Sequence, residues 1–161
     1  MDCVYTPRHE ALFSLTEHGV LDSWDLRDPE SPRAVKIGEV SLSRKIARRL
    51  SYPRTEDRDH LVVAGQDLLV VTQDPYCPGV TIDFDVRKYD PEDMDVKYVE
   101  GSSLGGWALF VGLHSDAVAL PASEFPELNP NSIYFTDAQE DCKIEYIPSG
   151  GHDIGISIMR T

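Results

Sequence analysis

The stretch Leu61-Val62-Val63-Ala64-Gly65-Gln66-Asp67-Leu68-Leu69-Val70-Val71-Thr72 decides the fold class. Two short apolar runs, rich in β-branched residues, flank a junction that contains a glycine. Each run is too short for an ordinary helix, and glycine supplies the backbone freedom of a tight hairpin turn. Leu61 to Ala64 and Leu68 to Thr72 therefore read as paired antiparallel strands.

The same grammar continues on both sides. Downstream, Asp74-Pro75-Tyr76-Cys77-Pro78-Gly79 reads as a loop, because two prolines and a glycine fall within six residues. Val80 to Tyr89 alternates as a long strand, and Asp90-Pro91-Glu92-Asp93 is a turn with proline at its second position. Met94 to Val99 follows as a strand with Met94, Val96 and Tyr98 on one face. Upstream, a strand pattern starts near residue 11. Ala11 to Leu15 turns through Thr16-Glu17-His18-Gly19 into Val20 to Leu26, with Gly19 expected at positive φ. Pro29 and Pro32 interrupt, and Arg33 to Val40 is a weaker strand. Ser41 to Leu50 alone looks helical, and Ser51 to Arg58 reads as loop.

Beyond the connector Gly101-Ser102-Ser103-Leu104-Gly105-Gly106, Trp107 to Leu113 is a continuous apolar run, the mark of a buried strand. Asp116 to Leu120 is a strand, Ala122 to Leu128 one helical turn, and Ser132 to Thr136 a strand. An acidic loop, Ala138 to Cys142, precedes strands Lys143 to Ile147 and Ile154 to Met159 around Ser149-Gly150-Gly151. About twelve short strands with almost no helix imply an all-β sandwich, barrel or propeller. A faint internal echo, Trp24-Asp25 and Tyr89-Asp90 each closing a late strand, favours the propeller. At four strands per blade the chain makes about three antiparallel blades, fewer than the at least four of a typical closed ring. The expected architecture is a partial β-propeller over residues 1–161, with open edges: a fragment, or half of a dimer.

Composition narrows the function. Hydrophobic residues are 41% of the 161, enough to bury a core, and charged residues are 27%. No run approaches the roughly 20 apolar residues of a membrane helix, and the N-terminus has no apolar leader segment. The net charge is −13. Residues 81–161 hold 15 acidic against 5 basic side chains, which argues against a nucleic-acid partner. The cluster Arg44-Lys45-Ile46-Ala47-Arg48-Arg49, with Arg54 and Arg58, reads as a solvated basic loop. Cys3, Cys77 and Cys142 are odd in number and far apart, and the five histidines His9, His18, His60, His114 and His152 are scattered. Neither set suggests a disulfide framework or a metal site, so no cofactor is expected and an intracellular setting, cytoplasmic or nuclear, fits best.

Two motifs invite chemistry. Gly101-Ser102-Ser103-Leu104-Gly105 matches the G-x-S-x-G nucleophile elbow, and Asp137 and His152 follow in hydrolase order. The elbow requires a strand before the serine and a helix after it, whereas a strand follows Ser103 here. Asp83 and Asp85 share a strand face, and Asp90, Asp93 and Asp95 crowd a turn. The turn lacks the glycine and glutamate of an EF-hand loop and reads as solvated.

One region is similar to a known family. Leu104-Gly105-Gly106-Trp107-Ala108-Leu109-Phe110-Val111-Gly112, then Ala122-Ser123-Glu124-Phe125-Pro126-Glu127-Leu128-Asn129-Pro130-Asn131-Ser132-Ile133-Tyr134-Phe135-Thr136-Asp137, then Asp153-Ile154-Gly155-Ile156, resemble the signature of the plant F-box-associated domain of unknown function, also described as the KIB-type β-propeller domain. The resemblance covers about residues 10–158. It implies the part of an F-box ubiquitin-ligase receptor that recognises a substrate or regulatory protein. The sequence departs from the family pattern by showing no F-box and by stopping where members continue with an acidic segment. Within the signature, Tyr134 and Phe135 alternate across a strand, Asn131 can hold a turn, and Gly112 and Gly155 suit close backbone approach. The expected function is a protein-interaction module that catalyses nothing, with its partner and binding face unspecified. The alternatives are a truncated fragment without independent function and a serine hydrolase using Ser103.

Overall fold

The computed structural model describes residues 2–16, 19–39, 58–76, 80–99, 104–112, 117–136 and 155–159. Among these the chain is all-β, with twelve strands in three four-stranded sheets. The first sheet is an antiparallel meander of β1 (Asp2–Thr6), β2 (Ala11–Leu15), β3 (Val20–Asp25) and β4 (Arg33–Glu39). The second repeats it with β5 (Arg58–Ala64), β6 (Asp67–Tyr76), β7 (Val80–Asp90) and β8 (Asp95–Tyr98). The third contains β9 (Trp107–Val111), β10 (Val118–Pro121), β11 (Ser132–Phe135) and β12 (Gly155–Ile158), in the order β10-β9-β11-β12.

The deciding hairpin forms as its sequence implies. Ala64 pairs with Asp67 across the two-residue turn Gly65-Gln66, and Gly65 sits at φ 64°. Because residues alternate across a strand, the hairpin is apolar on both faces. Leu61, Leu68 and Val70 pack with Ala11, Phe13, Leu15, Leu21 and Tyr89 toward the first sheet. Val62, Ala64, Leu69 and Val71 join Phe84 and Val86 against Leu104, Leu109, Val111, Ile133 and Phe135 of the third-sheet region. The second sheet is thus sandwiched between the other two. Its edge strand β5 touches both β1 and β10, so these three strands gather on one side, as the inner strands of propeller blades do. Asp2 ties two of them together: its carboxylate accepts the Leu61 N–H at 2.7 Å, satisfying a donor on the open edge of β5.

Several expectations need correcting. The first strand starts at Asp2, not near residue 11; Cys3-Val4-Tyr5-Thr6 supplies strand-forming residues that Pro7 ends. Strand β6 runs through Pro75 to Tyr76, and a register shift between Asp74 and Pro75 accommodates the missing N–H. Ala122 to Leu128 is not helical. It is a series of turns closed by Glu124 N–H to Pro121 O and Leu128 N–H to Phe125 O, each spanning three residues. The blades are not antiparallel throughout, since β9 pairs parallel with β11. The turns after β10 carry the chain back to the start of β9. There Ala122 donates to Gly106 O, Asn131 donates to Trp107 O, and Asn131 Oδ1 accepts the Gly106 N–H at 3.0 Å. The helical stretch Ser41 to Leu50, the loop Ala138 to Cys142 and the strand Lys143 to Ile147 lie outside the described residues.

Other readings hold. Gly19 has φ 74°. Phe135 points into the core while Tyr134 lies half-buried on the opposite face, stacked on Phe110 with ring centres 4.9 Å apart. Gly155 lies directly opposite Phe135, and an added Cβ would come within 2.4 Å of that ring.

Candidate functional site

The first two sheets part at their turn end to leave a cleft of about 660 Å³. It is bordered by the β1–β2 turn at Arg8 and His9, by Asp67 after the β5–β6 turn, and by the β7–β8 hairpin from Lys88 to Val99. The β1–β2 turn is compact because Pro7 fixes one backbone angle, and the His9 and Glu10 N–H groups close back on Thr6 O and Pro7 O. That geometry lays the His9 ring edge-on against Phe13 and Tyr89, at 5.8 and 5.4 Å between centres, while Phe13 and Tyr89 meet at 5.0 Å. Thr6 Oγ1 lies 3.0 Å from His9 Nδ1. Burial, aided by the neighbouring Arg8 charge and opposed by Asp67, holds the His9 pKa below its ordinary value. The imidazole therefore stays neutral near pH 7.

Each cation of the cleft has a carboxylate. Arg8 and Lys88 both donate to Asp67, at 3.2 and 2.7 Å. Lys97 donates to Asp90 at 2.7 Å and also to Asp93. The Lys97 hydrogen bond, joined by the Glu92 N–H, keeps Asp90 below the usual carboxylate range, and the same carboxylates raise Lys97. These pairs are exposed, so they add little stability. Their effect is electrostatic: a chain of net charge −13 presents here a lining in which Arg8, Lys88 and Lys97 balance Asp67, Asp90 and Glu92. A site built for phosphate would leave cations uncommitted.

One wall is aromatic and rigid. Tyr98 is 51% exposed, yet it lies across from Arg87, which is only 7% exposed. The Arg87 guanidinium carbon stands 4.5 Å from the Tyr98 ring centre, and Nη2 donates to the Tyr98 hydroxyl at 2.7 Å. An exposed ring clamped in place costs little conformational entropy when a partner covers it.

The structure describes only some of the sequence candidates. Ser103, Asp137 and His152 lie outside the described residues, as do Cys77, Cys142, His18, His114 and the basic cluster from Arg44 to Arg54. Arg58 opens β5. Asp83 lies in β7, next but one to the buried Asp85. Asp90 and Asp93 share Lys97, and Asp95 accepts the Val96 N–H. No group of three His, Cys, Asp or Glu side chains among the described residues could hold a metal. Cys3 is exposed and free. The sequence reading missed the cleft itself. Its signals were Arg8-His9 beside Pro7 and Lys88-Tyr89-Asp90 at the end of a strand, which only the stacking of sheets brings together.

Among known protein families, the one described as KIB1-4 beta-propeller matches residues 1–156. No curated protein and no solved structure matches the chain.

Proposed function

The chain belongs to the KIB1-4 β-propeller family, and from that premise we propose that it is a non-catalytic module that holds another protein at the cleft between its first two sheets. The observation that carries this reading is the clamped, exposed Tyr98 beside a charge-balanced rim. Aromatic anchors ringed by polar groups are the usual energetic centres of protein interfaces. The balanced lining fits a partner surface of mixed charge better than nucleic acid, which the acidic second half of the chain also disfavours. The resemblance to plant F-box-associated domains supports a finer role: recognition of proteins destined for ubiquitination, in an intracellular setting. No helix among the described residues is long and apolar enough to cross a membrane.

The test is capture from plant extract on the immobilised chain, alongside Tyr98→Ala and Val118→Ala, an exposed position on the third sheet away from the cleft lining. A partner kept by wild type and Val118→Ala, and weakened at least about tenfold by Tyr98→Ala, supports the cleft. Equal retention by Tyr98→Ala removes it. Failure to recover any protein that F-box-bearing relatives recover removes the ligase-related role. Labelling of Ser103 by a fluorophosphonate probe would overturn the non-catalytic reading.

A further inference from the structure

The three sheets stack face to face, and this leaves two outer faces without a described strand packed on them, although the turn at Asn129 reaches over part of the third. They are the far face of the first sheet and the far face of the third. Their composition is not that of surfaces facing water. On the third sheet, Val118, Phe110, Tyr134 and Ile156 form one cross-strand row, and Leu120, Ala108, Ser132 and Ile158 form the next, which the chain already closes at the fully buried Ala108 and Ser132 and leaves open at Ile158. None of the eight is charged. Val118, Ile156 and Ile158 are 49%, 51% and 56% exposed. An antiparallel sheet face that meets solvent is normally polar, whereas a sheet apolar on both faces expects cover on both.

On the first sheet, Tyr5, Leu12, Trp24 and Ala34 form the matching row across all four strands. Tyr5 is 53% exposed. The charges next to this row, Asp22 and Lys36, lie directly opposite each other and compensate. The polar ring groups of Trp24 and Tyr134 also have partners within the chain. Trp24 Nε1 donates to Ser14 Oγ at 2.8 Å, and the Tyr134 hydroxyl accepts the Asn129 N–H at 2.9 Å. Covering either face would leave neither group stranded, which removes the main cost of burying them.

We infer that these two faces pack on each other between two copies of the chain. The occupant follows from the stacking already present. Within the chain, the face of the second sheet toward the third meets the third sheet's inner face, and the first sheet meets the second in the same sense. Placing the third sheet's outer face on the first sheet's outer face of another copy repeats that step. Two copies joined this way, each by its third sheet to the other's first, close a six-bladed ring with two-fold symmetry. Six lies within the usual range of about 4–8 propeller blades, and closed symmetry is the usual form of homo-oligomers. An uncharged face meeting a charge-compensated one carries no electrostatic penalty. This interface lies away from the cleft and goes beyond the partner-binding reading.

The test is mass in solution by light scattering, over a range of concentrations, for wild type, Tyr5→Glu and Ile156→Glu. Both substituted side chains are exposed in the single chain, so each variant keeps its fold, which its thermal melt checks. The wild type is expected at about 36 kDa, twice the 18.0 kDa of one chain. Each variant alone is expected as a monomer, because either change spoils both seams of the ring. Mixed in equal amounts, the two variants should recover a dimer through the one seam where both faces are intact. A monomeric wild type overturns the inference, since the faces are then covered by the chain's own segments or left open. A dimer that survives Ile156→Glu alone overturns it in favour of a contact of the first sheet with itself. Growth into open polymers overturns the closed ring.

Discussion

The second sheet has two faces, and they are built differently. Toward the third sheet it presents Val62, Ala64, Leu69, Val71, Phe84 and Val86 to a wall of Leu104, Leu109, Val111, Ile133 and Phe135. Phe84 and Phe135 meet with ring centres 5.2 Å apart, and Trp107 lies so close over Gly65 that a Cβ there would sit 3.0 Å from its ring. Toward the first sheet the apolar centre is smaller, and polar contacts surround it. Asp2 accepts from Leu61, Thr72 donates to Asp59, Arg87 clamps Tyr98, and His9 closes the end. The first seam is held mainly by shape and carbon contact, with His60 and the buried Gln73 on the same face beyond its apolar centre. The second combines a modest core with directional bonds, and it is where the chain opens a cleft. A surface that must bind something needs groups that water can reach, and these sit at the rim of a seam whose core is already closed.

The comparison breaks first at Phe135. Phe135→Ala removes a buried ring from the dry seam and leaves a cavity between Phe84 and Gly155, so a loss of about 3–5 kcal/mol is expected in urea unfolding. A loss below about 1 kcal/mol would mean that this seam is not the anchor. Asp2→Ala tests the polar seam. It strips a charged acceptor from the Leu61 N–H at the open edge of β5, and about 1.5–3 kcal/mol should follow. Asp2→Asn should recover part of this, because an amide oxygen still accepts. If Asp2→Ala cost as much as Phe135→Ala, the two seams would be equals and the division of labour drawn above would fail.

The dry seam was legible in the sequence and the cleft was not, for a physical reason. Apolar alternation in Leu61 to Thr72, and the unbroken run from Trp107, report directly on which strands are buried on both faces. Within the signature, the residue types at Asn131 and Gly155 were informative, since Asn131 turns at a positive φ of 55° and Gly155 makes room for the Phe135 ring, whereas the hydrogen bond from Gly106, 25 positions away, was not foreseeable. The cleft instead depends on residues separated by 59 positions, as Arg8 and Asp67 are. No periodicity records which turn of one sheet will face which turn of the next. The same limit explains why β1 was overlooked: five residues ending at Pro7 form a strand because β2 offers them a partner. The parallel pairing of β9 with β11 was hidden too, since it depends on where the turns from Ala122 to Asn131 deliver the chain.

The smallest expected effect concerns His9 and sharpens the contrast through pH. Its pKa is lowered in the folded chain by burial against Phe13 and Tyr89 and by the Arg8 charge, with Asp67 pulling the other way. Below the ordinary histidine value of about 6.5 the unfolded chain therefore holds this proton more tightly than the folded one. The contribution of neutral His9 is complete above that value and is lost as pH falls through the lower folded pKa. Unfolding free energies measured in steps from pH 7.5 to 5 should decline more steeply for wild type than for His9→Phe. Phenylalanine keeps an aromatic edge against the same two rings and cannot take up a proton. The remaining histidines are common to both proteins and cancel in the difference. Asp25, held down to about 2 by its bonds with Arg27, takes up its proton only far below this window. Parallel curves would show that the His9 ring is not enclosed at the polar seam. A matching substitution in the dry seam, Phe84→Leu, should displace the whole curve with little change in its slope, because it neither adds nor removes a proton-binding group.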